Sequence, residues 1–373
     1  MPLPARRQGN DLKVLGADVP FSFFPMRQRG RRWGLHSMLY ASDPWAVIEG
    51  AIYDAKLASV ELASALSFVR QSGEYFRAAE RAGAFEVRPL LYYYSFLNLG
   101  KAISIARGRP NLVGKVIHGV GPVDAMGHTP NAAQLRFRRS TAGNPSALDE
   151  LHWALENHPL TAGTVNVADL LAQSVVGHRM WVAGTGKKER FFAIEDIGWR
   201  HDDASHEIWL EVWMKKSSLK NRGRGVTETL KQSGLDPDFR TISHADASTH
   251  LLHVFEQSAR TGYTSRPSDV VMDSVRGVRD EMWQTVTASP PYRKFYLYLS
   301  EPPERRLPQW MSVYSILFWL GSLTRYQPVE LLDALRGPLG PFFHEFIETQ
   351  PSQLLYLLTS ELGRQDVSKP GIV

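Results

Sequence analysis

The chain contains no cysteine, no low-complexity stretch and no long hydrophobic run. The absence of cysteine excludes disulfides, thiolate catalysis and sulfur-ligated zinc, and it is typical of a reducing compartment. The 373 residues are 43% hydrophobic and 22% charged, an ordinary globular composition that excludes disorder and a fibrous fold. This length predicts two domains or one large one, and 17 Phe, 13 Tyr and 10 Trp suffice for a sizeable core.

No segment combines the length and apolarity of a membrane-spanning helix. The most apolar window, residues 311–323, is shorter than the roughly 20 residues that such a helix needs, and residues 89–106 are interrupted by Asn98 and Lys101. The first 20 residues carry two arginines but no apolar run behind them, so they do not resemble a secretory signal. We therefore expect a cytoplasmic protein whose membrane contacts are peripheral, if it makes any.

Positive charge is concentrated near the N-terminus. The formal net charge is +5, and residues 1–40 hold seven cations against two acids, so the rest of the chain is balanced. Arg27, Arg29, Arg31 and Arg32 lie beside Trp33, with Phe21, Phe23 and Phe24 just upstream. Cations next to aromatic rings are suited to an anionic lipid surface. In the alternative interpretation, the aromatic rings pack into the core and the arginines are merely solvated.

A second basic segment contains no acid between Met214 and Val226. Its cations are Lys215, Lys216, Lys220, Arg222 and Arg224. It is either a mobile anion-binding loop or a solvated connection. Because no RNP motif, zinc finger or interleaved aromatic residues accompany it, nucleic acid is the less favoured ligand.

Hydrophobic periodicity predicts helices at both ends of the chain. Ser42-Asp43-Pro44 is typical of a helix start, and one long helix is predicted from there to about residue 71. Further helices are predicted over 74–81, 89–107, 147–157, 167–174, 308–325, 328–336, 341–348 and 352–362. Strands are predicted over 134–139, 190–200, 207–216 and 292–299, the second and third joined as a hairpin.

This order predicts an α+β fold in which helical N- and C-terminal parts pack together around or beside a central, partly antiparallel β region. The predicted parts are a basic arm (1–41), a helical part (42–124), a mixed α/β middle (125–300) and a helical C-terminal part (301–373). Neither helical end is long enough to close a domain alone. We therefore expect one shared helical core that contains Tyr92, Tyr93, Arg325 and Tyr326.

Signatures of metal binding and catalysis are weak. The histidines whose spacing comes closest to that of metal ligands are His201, His206, His244, His250 and His253. None of them belongs to an H-E-x-x-H pattern, so no metal site and no cofactor is predicted. The chain also lacks G-x-S-x-G and a complete P-loop.

Arg200 and His206 have about the spacing of the HEPN ribonuclease pair. They lie between two predicted strands rather than on a helix, and Asp202 and Asp203 beside them would repel phosphate. A hairpin turn is the favoured interpretation.

Several separated segments resemble the YaaC-like protein family. In the first third these are Tyr75-Phe76, Arg88-Pro89, Tyr92-Tyr93, Asn98, Lys101 and His118-Gly119, and near the end Tyr314, Arg325-Tyr326 and Pro328. None of these motifs is a recognised catalytic signature, so the resemblance implies no active-site residues. The matched residues have the character of structural ones: a proline that starts a helix, packed tyrosines and arginines that bond a carbonyl or an acid.

The resemblance implies a role in bacterial anti-phage defence, where YaaC-like proteins occur as the sensing component of two-component Juk systems. We therefore expect a non-enzymatic protein that recognises an early-infection structure or an anionic membrane surface, such as an infection vesicle. Its expected partner is an effector of the same system, a JukB-like protein. Two alternatives stay open: a HEPN-like or other nuclease, and a nucleic-acid-binding protein.

Overall fold

The computed structural model describes residues 3–29, 32–123, 129–220, 223–243 and 251–371. Within these ranges the α-helices are α1 (Pro44–Asp54), α2 (Ser59–Arg81), α3 (Arg88–Ala106), α4 (Ala147–Glu156), α5 (Val167–Ala172), α6 (His178–Thr185), α7 (Lys216–Lys220), α8 (Val226–Ser233), α9 (Val271–Arg276), α10 (Gln309–Tyr326), α11 (Pro328–Arg336) and α12 (Gly340–Gly363). The strands are β1 (Asn10–Asp11), β2 (Lys13–Val14), β3 (Ala17–Asp18), β4 (Met26–Arg29), β5 (Arg32–Leu35), β6 (Leu39–Tyr40), β7 (Val120–Pro122), β8 (Gln134–Phe137), β9 (Gly163–Asn166), β10 (Phe191–Ala193), β11 (Asp196–Asp202), β12 (Glu207–Lys215), β13 (Phe239–Ile242), β14 (Leu252–Gln257), β15 (Thr261–Gly262), β16 (Met282–Val286), β17 (Arg293–Tyr298) and β18 (Val367–Ser368). Helices with mostly antiparallel sheets confirm the predicted α+β class.

The chain divides into two compact units. Unit 1 comprises residues 1–40, 188–303 and 364–373, and unit 2 comprises residues 41–187 and 304–363. This division differs from the sequence-based one, which gave residues 1–41 an arm of their own and placed 125–187 with the middle region. Residues 125–187 belong to unit 2 because Leu135, Phe137 and Val165 of β8 and β9 pack into its helical core.

The two helical ends of the chain share the core of unit 2. Helix α3 packs against both α2 and α10. The Tyr93 ring of α3 lies 5.2 Å from the Phe318 ring of α10. Gly321 permits this approach, since a Cβ there would lie 3.3 Å from the Leu90 Cα. Arg325 and Tyr326 are the exceptions to the expected core, because both are exposed at the end of α10.

The predicted helix start at Asp43-Pro44 is confirmed, but the helix predicted from there to about residue 71 is two helices, and two predicted helix breaks are wrong. The Asp43 carboxylate accepts a hydrogen bond from the Trp45 backbone N–H at 3.0 Å, and Pro44 is the first residue of α1. The first helix ends at Asp54, with Lys56 in the left-handed region, and α2 then runs without a break to Arg81. Pro351 likewise lies inside the continuous helix α12 instead of dividing it.

Unit 1 is built on antiparallel sheets. Its main sheet has the order β1-β11-β12-β14-β13, with β15 also paired to β12. The predicted hairpin is confirmed, since Asp202 pairs with Glu207 at its closed end. The single strand predicted over 190–200 is in fact two, because the Ile194 N–H donates to the Phe295 carbonyl and the Glu195 N–H to the Trp213 carbonyl. The chain therefore passes here from the sheet β10-β17-β16 to the main sheet.

Candidate functional site

Several residues of the YaaC-like motifs meet in unit 2 in a group that we call the tyrosine–histidine cluster: Tyr93, Tyr94, His118 and Tyr314. Tyr93 and Tyr314 are buried, and their rings lie 5.5 Å apart. The Tyr93 hydroxyl is 2.6 Å from His118 Nδ1. A buried tyrosine that packs against Tyr314 is thus hydrogen-bonded to a half-buried imidazole.

Backbone geometry places His118 against this chain. Gly119 adopts a φ of +84°, and a Cβ at that position would lie 2.1 Å from the Ser146 Oγ. The Leu148 N–H donates to the His118 carbonyl at 3.2 Å, which ties the histidine to the start of α4. Glycine is therefore required immediately after His118 for the turn to fit.

Burial sets the protonation states within the cluster. It raises the pKa of Tyr93 well above its ordinary value, and it also raises the pKa of Tyr314. Burial, followed by the positive charges of Lys101 and Arg325, lowers the pKa of His118. At neutral pH the two phenols are protonated and the imidazole is uncharged, so the cluster itself carries no charge.

Two cations flank the cluster. Arg325 Nη1 donates to the Tyr94 hydroxyl at 2.7 Å, and the Tyr94 ring lies 6.5 Å from the His118 ring. Lys101 lies two helical turns beyond Tyr94 in α3, with its Nζ 5.0 Å from the centre of the Phe68 ring. Among the described residues, no carboxylate forms an ion pair with either cation.

The remaining predicted motif residues have structural roles or lie at the surface. Arg88 pairs with Glu348 at 2.5 Å and donates to the Ala82 carbonyl. Tyr92 is buried with its ring 5.1 Å from that of Phe76. Pro89 lies in the first turn of α3, Asn98 is buried in α3, and Pro328 begins α11. The structure thus brings together Tyr93, His118 and Arg325 and leaves Tyr326 exposed.

The predicted basic arm is a hairpin in unit 1. Strands β4 and β5 pair so that Arg27 faces Gly34 and Arg29 faces Arg32. Arg32 is exposed and Arg27 half-buried, and neither pairs with a carboxylate of the described chain. Arg31 and the Arg29 side chain lie outside the described residues. We call residues 26–35 the basic hairpin.

The aromatic residues upstream of this hairpin belong to the core of unit 1. Phe23 and Phe24 are only 5% and 6% exposed, and Phe21 and Trp33 are partly buried against the same cluster. The Phe21 ring lies 4.9 Å from that of Phe295. The first of the two interpretations, with aromatic rings at a lipid surface, is therefore wrong for Phe23 and Phe24, because packing within unit 1 buries them.

The first two arginines of the chain are structural. Arg6 pairs with Glu211 at 2.5 Å, and Arg7 pairs with Glu256 at 2.9 Å. Both acids are fully buried and face each other across β12 and β14. Part of the N-terminal excess of positive charge therefore neutralises buried carboxylates, which the sequence analysis missed.

Over its described residues, the second basic segment is divided among the end of a strand, a short helix and a buried, ion-paired arginine. Lys215 ends β12 and pairs with Glu195 at 2.8 Å, whereas Lys216 and Lys220 belong to the short helix α7. Arg224 is 8% exposed and pairs with Glu228 and Glu301. Arg222 lies outside the described residues.

Arg200 and His206 have separate surroundings on the β11–β12 hairpin. Arg200 pairs with Asp11 at 2.6 Å and with the buried Glu211 at 3.1 Å. His206 lies in the turn with a φ of +55°, its ring 5.2 Å from that of Tyr263. His201 contacts Asp203 at 3.2 Å. Over the described part of the chain, which omits His244 and His250, no group of three potential metal ligands is found.

A comparison with protein families bears directly on these motifs. The family model for YaaC-like protein matches residues 32–362. The chain belongs to the YaaC-like family. The match covers the tyrosine–histidine cluster and begins within the basic hairpin, at the first residue of β5. No curated protein and no solved structure matches this YaaC-like chain.

Proposed function

We propose that this YaaC-like protein is the non-enzymatic sensing component of a bacterial two-component anti-phage system, as the resemblance to JukA suggests. It recognises an anionic membrane surface formed early in infection and recruits a JukB-like effector. Family membership supports the defence role. The structural observation that carries the recognition step is the basic hairpin, whose Arg27 and Arg32 have no carboxylate partner within the described chain.

The strength of this contact follows from the charges. Each cation near an anionic membrane contributes about 1 kcal/mol, so the four arginines of the basic hairpin supply about 4 kcal/mol at low salt. Because Phe23 and Phe24 are buried, apolar insertion adds little to this energy. No helix in the described ranges has the length and apolarity to cross a membrane. The proposed contact is peripheral, reversible and sensitive to salt.

Co-sedimentation with liposomes tests the contact. Wild-type protein is mixed with phosphatidylglycerol-containing or pure phosphatidylcholine vesicles at about 0.01 M and about 0.15 M salt, between which the Debye length falls from about 30 Å to about 8 Å. We expect binding to the anionic vesicles only, strongest at low salt. Replacing Arg27, Arg29, Arg31 and Arg32 by Gln should abolish it.

A charge-matched variant controls for overall net charge. Lys115, Arg136, Arg138 and Arg139 are exposed in unit 2, and none pairs with a carboxylate of the described chain. Their replacement by Gln removes the same four charges and should leave sedimentation unchanged. If both variants lose vesicle binding equally, the binding depends on net charge rather than on the basic hairpin. If the hairpin variant binds anionic vesicles as well as the wild type does, recognition by the basic hairpin is refuted.

Effector recruitment is tested separately. Co-expression of the chain with the JukB-like protein and purification through a tag on one of them should recover both, whether or not the hairpin arginines are present. Failure to recover a complex in cells exposed to phage would contradict the recruitment step.

A further inference from the structure

The tyrosine–histidine cluster has features that a purely structural core does not require. Lys101 is half-buried, and burial lowers the pKa of its ammonium group. An amine taken partly out of water normally has a carboxylate beside it, but none in the described chain pairs with Lys101. Arg325 likewise bonds only a neutral hydroxyl, that of Tyr94.

The imidazole between these cations has one nitrogen already engaged. Nδ1 of His118 is hydrogen-bonded to the Tyr93 hydroxyl, and the Tyr93 ring packs against that of Tyr314. When Tyr93 donates to Nδ1, the neutral imidazole carries its proton on Nε2, which is then a hydrogen-bond donor. Among the described residues, no acceptor for Nε2 is present.

Lys101 and Arg325 are close enough to His118 for both charges to lower its pKa. Geometry supports this placement, since Lys101 follows Tyr94 by two turns of α3, and Arg325 is bonded to the hydroxyl of Tyr94, whose ring lies 6.5 Å from that of His118. Two cations near one neutral donor are groups that bind a doubly charged oxyanion. Lys101 is half-buried beside Phe68, whereas Arg325 is exposed at the end of α10.

We infer that Lys101, His118 and Arg325 form a binding site for the phosphate group of a phosphorylated small molecule. Lys101 supplies a point charge, Arg325 a forked donor and His118 Nε2–H a directional hydrogen bond. Tyr93 is a positioning residue, because its hydroxyl is bonded to His118 Nδ1 and leaves Nε2 for the ligand. This site lies in unit 2, and its test is independent of the basic hairpin in unit 1.

Calorimetric titration tests the site with inorganic phosphate, glycerol 3-phosphate and adenosine monophosphate as probes. We expect saturable binding of at least one probe, and the ranking of the three separates free phosphate, a lipid headgroup and a nucleotide as sources. Lys101→Gln and Arg325→Gln should each weaken binding by about tenfold or more, since each removes one charge-assisted contact. Lys115→Gln and Arg136→Gln, which remove exposed cations of the same unit, should leave affinity unchanged.

A second readout is specific to the imidazole. Bound phosphate adds negative charge beside His118, so NMR titration of its ring should show a pKa that rises on addition of the probe in the wild-type protein. The rise should be lost in Lys101→Gln and should become smaller in Tyr93→Phe, in which the imidazole loses its orienting hydroxyl. The inference is overturned if no probe binds, if the control variants lose as much affinity as Lys101→Gln, or if the His118 pKa does not respond.

Discussion

Two buried carboxylates at the centre of unit 1 depend on arginines for their charge balance. Glu211 and Glu256 have no exposed surface and are directly opposed on β12 and β14. Glu211 is paired with Arg6 and Arg200. A buried charge that loses its partner costs several kcal/mol, so removal of Arg6 should destabilise unit 1.

The magnitude follows from the contacts that Arg6 makes. Its Nε and Nη2 atoms donate to the two Glu211 oxygens at 2.7 and 2.5 Å. Each hydrogen bond to a charged group stabilises by about 1.5–3 kcal/mol, but Arg200 keeps its own contact with Glu211 and compensates for part of the loss. We therefore expect Arg6→Met to lower the free energy of unfolding by about 3 kcal/mol.

Urea unfolding followed by tryptophan fluorescence measures this change. Arg136→Met is the control, because Arg136 is exposed on β8 and should change stability by less than about 0.5 kcal/mol. Adding Glu211→Gln to Arg6→Met should restore part of the loss, giving a coupling energy of about 1.5 kcal/mol in the double-mutant cycle. A loss no larger than that of Arg136→Met, or strictly additive effects, would refute the assignment of Arg6 to the buried carboxylate.

Three further predictions concern the tyrosine–histidine cluster and the β11–β12 hairpin. Tyr93→Ala should lower the free energy of unfolding by about 3 kcal/mol through lost burial and a cavity, and an unchanged urea midpoint would contradict this. The pKa of His118 in the folded protein lies below its ordinary value near 6.5. Just below pH 6.5 the unfolded chain therefore binds more protons than the folded chain, and the free energy of unfolding should fall as the pH decreases through this range. His118→Gln should flatten that dependence in parallel unfolding series, and an identical slope in both proteins would argue against a buried neutral imidazole. Purified protein should not cleave RNA or DNA, with or without divalent metal. The double variant Arg200→Lys, His206→Ala should leave anti-phage protection intact. If the wild-type protein does cleave nucleic acid and this double variant does not, the nuclease alternative is favoured.

Local signals in the sequence predicted much of the fold. The cap at Asp43, the proline at the start of α11 and the polar stretch between the two strands of the predicted hairpin each act over a few residues, and the structure confirms all three features. Helix breaks were harder to predict. The proline at position 351 predicts a break, but it is buried inside the continuous helix α12, where packing on several sides accommodates it. The passage between two sheets at Ile194 depends on bonds to distant strands, which local patterns do not encode.

The candidate site was only partly predictable. The family motifs pointed to Tyr93, His118 and Arg325, but nothing in their spacing showed that Tyr93 is hydrogen-bonded to His118 or that Arg325 bonds the neighbouring Tyr94. The Arg6–Glu211 pair spans 205 positions and was missed. One signal was present: Glu211 interrupts an apolar strand between Leu210 and Val212, and a buried acid in such a place requires a cation.

Protection of living cells tests the proposed recognition by the basic hairpin most directly. Bacteria that express this chain together with a JukB-like protein are challenged with a nucleus-forming jumbo phage, and plaque formation is compared among variants with equal protein levels. We predict that the Gln variant of Arg27, Arg29, Arg31 and Arg32 loses protection, whereas the matched Gln variant of exposed cations in unit 2 retains it. Full protection by the hairpin variant would contradict recognition of an anionic infection surface by this hairpin.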